Sequence, residues 1–103
     1  FSTGLEESPV TAHAGLMATI MAGAGNSSPF AKGVADGSLV GSVNFQNLFP
    51  ESDSFYRHHH ITVQNHSYGT VVENFYGNEA AAFDAAAWNH NHLLLVYSSG
   101  NAG

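Results

Sequence analysis

The spacing of apolar positions changes several times along the chain, and each change predicts an element. Leu16, Met17, Ile20 and Met21 fall at i, i+1, i+4 and i+5. That is the spacing of one helix face, so a helix is expected from His13 to about Met21. Ala18, Ala22 and Gly23 would let it pack closely, and Gly23, Gly25 and Asn26 end it. Asn26 to Asp36 reads as a loop around Pro29. Ser38 to Phe45 carries Leu39, Val40, Val43 and Phe45 and reads as a strand. Residues 46–60 form a longer excursion with aromatics and the run Arg57-His58-His59-His60. Ile61 to Asn65 is β-branched and short, a strand that breaks at Ser67-Tyr68-Gly69-Thr70.

The second half is more regular. Asn78 is a candidate N-cap, with Glu79 favourably placed in the first turn. The following EAAAFDAAAW has high helix propensity, so a helix over 78–90 is expected. Leu93 to Tyr97 is a continuous apolar run, read as a strand buried on both faces. A helix between two strands without hairpin signals predicts a βαβ unit and a parallel sheet. The expected class is therefore α/β, with about three strands and two helices. Three strands and two helices do not close both faces of a sheet, so this is expected to be part of a larger domain.

Composition supports that expectation. Only 10% of the 103 residues are charged, where about 25% is usual. A small free-standing domain normally places more charge on its surface. There are 2 Lys+Arg against 8 Asp+Glu. Two basic residues cannot build a phosphate-backbone surface, so nucleic acid is not an expected partner. No apolar run reaches the about 18 residues that span a membrane. No basic n-region precedes an apolar h-region, so no signal peptide is read. The chain opens on Phe1 and closes on Gly103 after an apolar run, which reads as a piece of something longer. The absence of cysteine rules out thiol chemistry within the chain.

Ligands of open parallel sheets bind at the carboxyl ends of the strands. Here these ends are Asn65-His66-Ser67-Tyr68-Gly69 and Ser98-Ser99-Gly100-Asn101-Ala102-Gly103. Both loops offer main-chain N–H groups and small polar side chains, suited to an extended peptide or a developing oxyanion. From spacing alone, the simpler reading of each is an ordinary βα turn. His13, opening a helix, could be a general base or simply a helix-start residue.

Four segments in order resemble the subtilisin-like serine proteases. His13-Ala14-Gly15-Leu16-Met17-Ala18 is similar to the family's catalytic HGTxVAG, and Gly33-Val34-Ala35 to its GVAP. Asn65-His66-Ser67-Tyr68-Gly69 is similar to N-x-S-x-G, and Gly100-Asn101-Ala102-Gly103 to GNxG. The resemblance implies His13 as the general base and Asn101 as the side-chain donor of the oxyanion hole. It implies that Ser67, Tyr68 and Gly69 pair with substrate and wall its main specificity pocket. Ser98, Ser99 and Gly100 would form the opposite wall. It also implies a polypeptide substrate, no organic cofactor, export from the cell, and the remainder of one catalytic domain as the partner of residues 1–103.

The motif departs from the family's pattern. Ala14 and Gly15 stand for Gly and Thr, Leu16 for a second His, Thr19 for a Gly, and Asp36 for a Pro. No Asp precedes His13, and no Gly-Thr-Ser nucleophile segment is present. The chain thus holds one triad member and one oxyanion donor, and is not expected to run the mechanism alone. The alternative is a subtilisin-like domain that no longer cleaves and serves as a binding or scaffold module. A third reading is an unrelated α/β domain with a metal site on its histidine edge.

That edge follows from the strands. His58–His60 and His90/His92 each precede a strand, so a parallel pair would gather them at its amino edge, where imidazoles suit zinc, copper or nickel. Gly25-Asn26-Ser27-Ser28 lies where the family often holds calcium, with Asn26 the one obvious side-chain ligand. Asn26 and Asn65 both sit in glycosylation acceptor patterns, and no glycan is assigned to either. Phe75, Tyr76, Phe83 and Trp88 are expected in packing.

Overall fold

The computed structural model describes residues 11–43, 49–69 and 74–101. The chain divides into two compact units, Phe1–Gln46 and Asn47–Gly103.

In the first unit, helix α1 spans Ala12–Ala22. Thr11 starts it, its hydroxyl accepting from the Ala14 N–H at 3.1 Å. At the other end the chain folds back through a short 3₁₀ turn, Pro29–Ala31, opened by Ser28. Gly33, Val34 and Ala35 then donate their N–H groups to the carbonyls of Gly23 (2.8 Å), Ile20 (3.2 Å) and Met21 (2.7 Å). The returning main chain thus satisfies carbonyls that a helix end leaves without partners. The approach is close enough to require glycine. A Cβ on Gly33 would lie 2.5 Å from the Gly23 nitrogen and 2.6 Å from that of Ala22.

This packing bears out the close approach expected of Ala18, Ala22 and Gly23. The buried face is the small one, Ala18 and Ala22, while Leu16 and Ile20 are 56% and 54% exposed. Main chain packing on main chain needs small side chains, so the apolar stripe is left facing outward. Residues 38–43 form no strand, and Leu39 is exposed. A strand exists only when its N–H and C=O groups find a partner strand, and 38–43 find none among the described residues. Residues 44–45 of that expected strand lie outside the described residues.

The second unit opens with helix α2, Asp53–His58, inside the expected loop. Ser52 caps it through the Phe55 N–H at 3.2 Å, Asp53 lies in the first turn, and Arg57 and His58 lie in the last. Strand β1 is Val63–His66, helix α3 is Asn78–Asn89 and strand β2 is Leu94–Tyr97. β1 and β2 pair in parallel, in register from Val63–Leu94 to His66–Tyr97, as the βαβ reading requires. Gly77, not Asn78, occupies the N-cap of α3, and no side chain caps it.

The core of this unit is Tyr56, His66, Ala86 and Leu93. Leu94, Val96 and Tyr97 are exposed, so the strand is not buried on both faces. Two strands and the helix between them in sequence supply too little surface to cover it. The same deficit corrects three of the four aromatic expectations. Phe75, Tyr76 and Trp88 are exposed, and only Phe83 packs, edge-on to His66 and Tyr97. The whole is an incomplete α/β arrangement, with two described strands where about three were expected.

Candidate active site

The expected site residues divide between the units. His13 is the second residue of α1, exposed and just past the Thr11 cap. All the others lie in the second unit, at the carboxyl ends of β1 and β2.

Parallel pairing brings those two ends side by side. The Ser98 N–H donates to the His66 carbonyl at 3.1 Å, continuing the ladder one step past the strands. The Ser98 hydroxyl donates to the Tyr68 carbonyl at 3.1 Å. The Asn65 carboxamide donates to the Ser67 hydroxyl at 2.7 Å. Ser67 and Tyr68 are half-buried, while Gly69, Ser98, Ser99 and Gly100 are exposed. Two short walls of main chain and small polar groups therefore stand next to each other. Gly100 has φ of +79°, a left-handed conformation that glycine adopts without cost. The chain bends there and presents Asn101, which is exposed. Ala102 and Gly103, the rest of that loop, lie outside the described residues.

Beneath the walls sits a residue that sequence reasoning passed over. His66 is 7% exposed. Its ring stacks on Tyr97 with centroids 4.8 Å apart, and meets Phe83 and Tyr68 edge-on at 5.2 and 5.5 Å. Its Nδ1 shares a 2.8 Å hydrogen bond with the Tyr68 hydroxyl, while its Nε2 is buried without a partner. Burial lowers the pKa of His66, because a charged imidazolium would lose water it cannot replace. Burial also raises the phenols of Tyr68 and Tyr97, the latter to about 12 with further contributions from Tyr56, Tyr68 and Asp84. At neutral pH this cluster is uncharged. A signal was present in the sequence: His66 is the last residue of a β-branched strand, directly before the polar loop.

The other candidate constellations fare differently. His60, His90 and His92 do gather at the amino edge. Yet among the described residues no three His, Asp or Glu side chains are placed to ligate a metal ion. A 310 Å³ cavity beside Gly25–Ser27 is lined by neutral groups alone, including Asn26 and Ser27. Calcium sites normally draw on carboxylates, and that lining contains none. Asp36, in the place of the family's Pro, pairs with Lys32 at 3.0 Å, which holds its carboxyl below the usual range.

One family model matches nearly the whole chain. The model of the subtilase family, peptidase S8, covers residues 3–103. This chain belongs to the subtilase family. It is thus a member of a serine protease family, and its parallel α/β unit is part of the subtilase arrangement. No curated protein and no solved structure matches it. No helix among the described residues is long and apolar enough to cross a membrane.

Proposed function

We propose that the chain is the central part of the catalytic domain of a secreted subtilisin-like serine endopeptidase. The carrying observation is the parallel β1–β2 pair, whose carboxyl ends are tied by Ser98 and Tyr68 inside a subtilase-family match. On this reading His13 takes the proton of a serine supplied by the rest of the domain and returns it to the leaving amine. An acyl-serine intermediate forms and is then hydrolysed by water. Asn101 donates its carboxamide N–H to the oxyanion. Substrate lies as an extended strand along Ser67-Tyr68-Gly69, with Ser98-Ser99-Gly100 opposite.

The test is labelling of the full-length protein with a serine-directed fluorophosphonate. Labelling that disappears in His13→Ala is the expected result. A folded full-length protein that takes no label overturns the enzyme reading in favour of a non-catalytic binding domain.

A further inference from the structure

The opposite edge of the same strand pair has its own chemistry. The amino ends of β1 and β2 border an open cavity of about 440 Å³. Two polar clusters distant in sequence meet there: Arg57 and His60 from one, Asn89, His90, Asn91 and His92 from the other. Parallel pairing is what unites them, because each cluster runs directly into its strand and the register sets Val63 beside Leu94.

The surroundings are built rather than loose. The Arg57–His60 turn is fixed by His60 N–H to the Arg57 carbonyl (3.4 Å) and Ile61 N–H to the Tyr56 carbonyl (3.1 Å). The turn after α3 is closed by Leu93 N–H to the His90 carbonyl at 3.0 Å. The His90 Nε2 is engaged by Asp53 at 2.7 Å, and its ring packs edge-on to Tyr56 at 5.3 Å.

Charge decides what such a cavity suits. The chain carries 2 Lys+Arg and a net charge of −6. Lys32 is committed to Asp36. Arg57 has no carboxylate partner among the described residues, and the carboxylate nearest the lining, Asp53, is engaged by His90. The Arg57 guanidinium fork, the His60 and His92 imidazoles and the Asn89 and Asn91 carboxamides form a donor set that suits the oxygens of a tetrahedral oxyanion. Tyr56, Ile61 and Leu93 add an apolar side. The volume exceeds what a bare oxyanion fills and lies within the range of about 300–1,000 Å³ typical of small-ligand sites. We propose that this cavity binds a small organic phosphate monoester, its phosphate on Arg57 and the histidine–asparagine cluster and its organic group against Tyr56 and Leu93.

Calorimetric titration of the full-length protein with phenyl phosphate tests this. The binding readout is independent of proteolysis. Saturable binding is expected, tighter than for inorganic phosphate and absent for phenol. Arg57→Gln should weaken it at least tenfold and His92→Gln a few-fold, while Lys32→Gln should leave it unchanged. Arg57 and His92 are both exposed, so unchanged thermal melts are expected for these variants. Should Arg57→Gln melt early, Arg57→Lys keeps the charge without the fork, and an intermediate loss supports the site. Failure of the unsubstituted protein to bind, equal binding by the tested Arg57 variant, or an equal loss in Lys32→Gln would each overturn it.

Discussion

The two units hold their candidate catalytic side chains by different means. In Phe1–Gln46, α1 carries His13 and is fastened at its far end by main chain on main chain. Gly33, Val34 and Ala35 bond the last carbonyls, and Ala18, Ala22 and Gly23 make room. In Asn47–Gly103, the loop carrying Asn101 follows a strand fastened by aromatic side chains. His66 is wedged among Tyr68, Phe83 and Tyr97. The first device leaves no room for a Cβ at Gly23 or Gly33. The second, built on ring contacts around an uncharged imidazole, is expected to tolerate a change of ring and to respond to a change of charge. A chain with few charges and no fully buried large side chain among its described residues can thus still fix local geometry in two ways.

The largest expected effects test whether the two units serve one reaction. On the proposed reading, His13→Ala in the full-length protein should lower kcat by several orders of magnitude without unfolding it, since position 13 is exposed and the helix keeps its Thr11 cap. Unaltered turnover would remove His13 from the mechanism. Asn101→Leu should lower kcat by about 10²–10³-fold with little change in KM, because the contact strengthens mainly in the transition state. A loss of that size is typical of removing one oxyanion-hole donor. A lowered melting temperature with intact kcat would instead make Asn101 a turn residue.

Two smaller effects separate the fastening devices. Gly33→Ala should cost about 1–3 kcal/mol, the range for overpacking a tight site, because its Cβ has main-chain nitrogens within 2.6 Å. Urea denaturation reads this directly, and a midpoint equal to wild type would show that the approach relaxes freely. For His66 the folded pKa lies below the unfolded value. The unfolded chain therefore binds a proton first as the pH falls. The stability contributed by neutral His66 is full above about pH 6.5 and declines as the pH drops below it. His66→Phe keeps a ring in the stack and cannot protonate. It should flatten the urea midpoint between pH 7.5 and 5 relative to wild type, and parallel pH profiles would refute the charge-sensitive wedge. Tyr68→Phe should show the least effect, about 0.5–1.5 kcal/mol for the lost hydrogen bond to His66.

What the sequence by itself determined is the local grammar. Helix propensity placed α3 at 78–89 against an expected 78–90, and the β-branched and apolar runs placed β1 and β2 within two residues. Their order was enough for a parallel pair, and the four short segments were enough for the family. Helix α2 was readable too, from Ser52, Asp53 and Arg57 at cap and dipole positions, but the aromatic and histidine run masked it. Burial was decided by tertiary structure alone. The stripe of Leu16 and Ile20 gives a helix its period but not its partner, and main-chain bonds from 33–35 chose the opposite face. His66 looked like one polar loop residue among several until pairing set it beside Tyr97 and under Phe83. The RHHH and NHNH runs likewise share a cavity only because two strands 31 positions apart in register lie in parallel, Val63 against Leu94. Periodicity reports what a segment can cover; which surface it does cover depends on contacts between residues far apart in the chain.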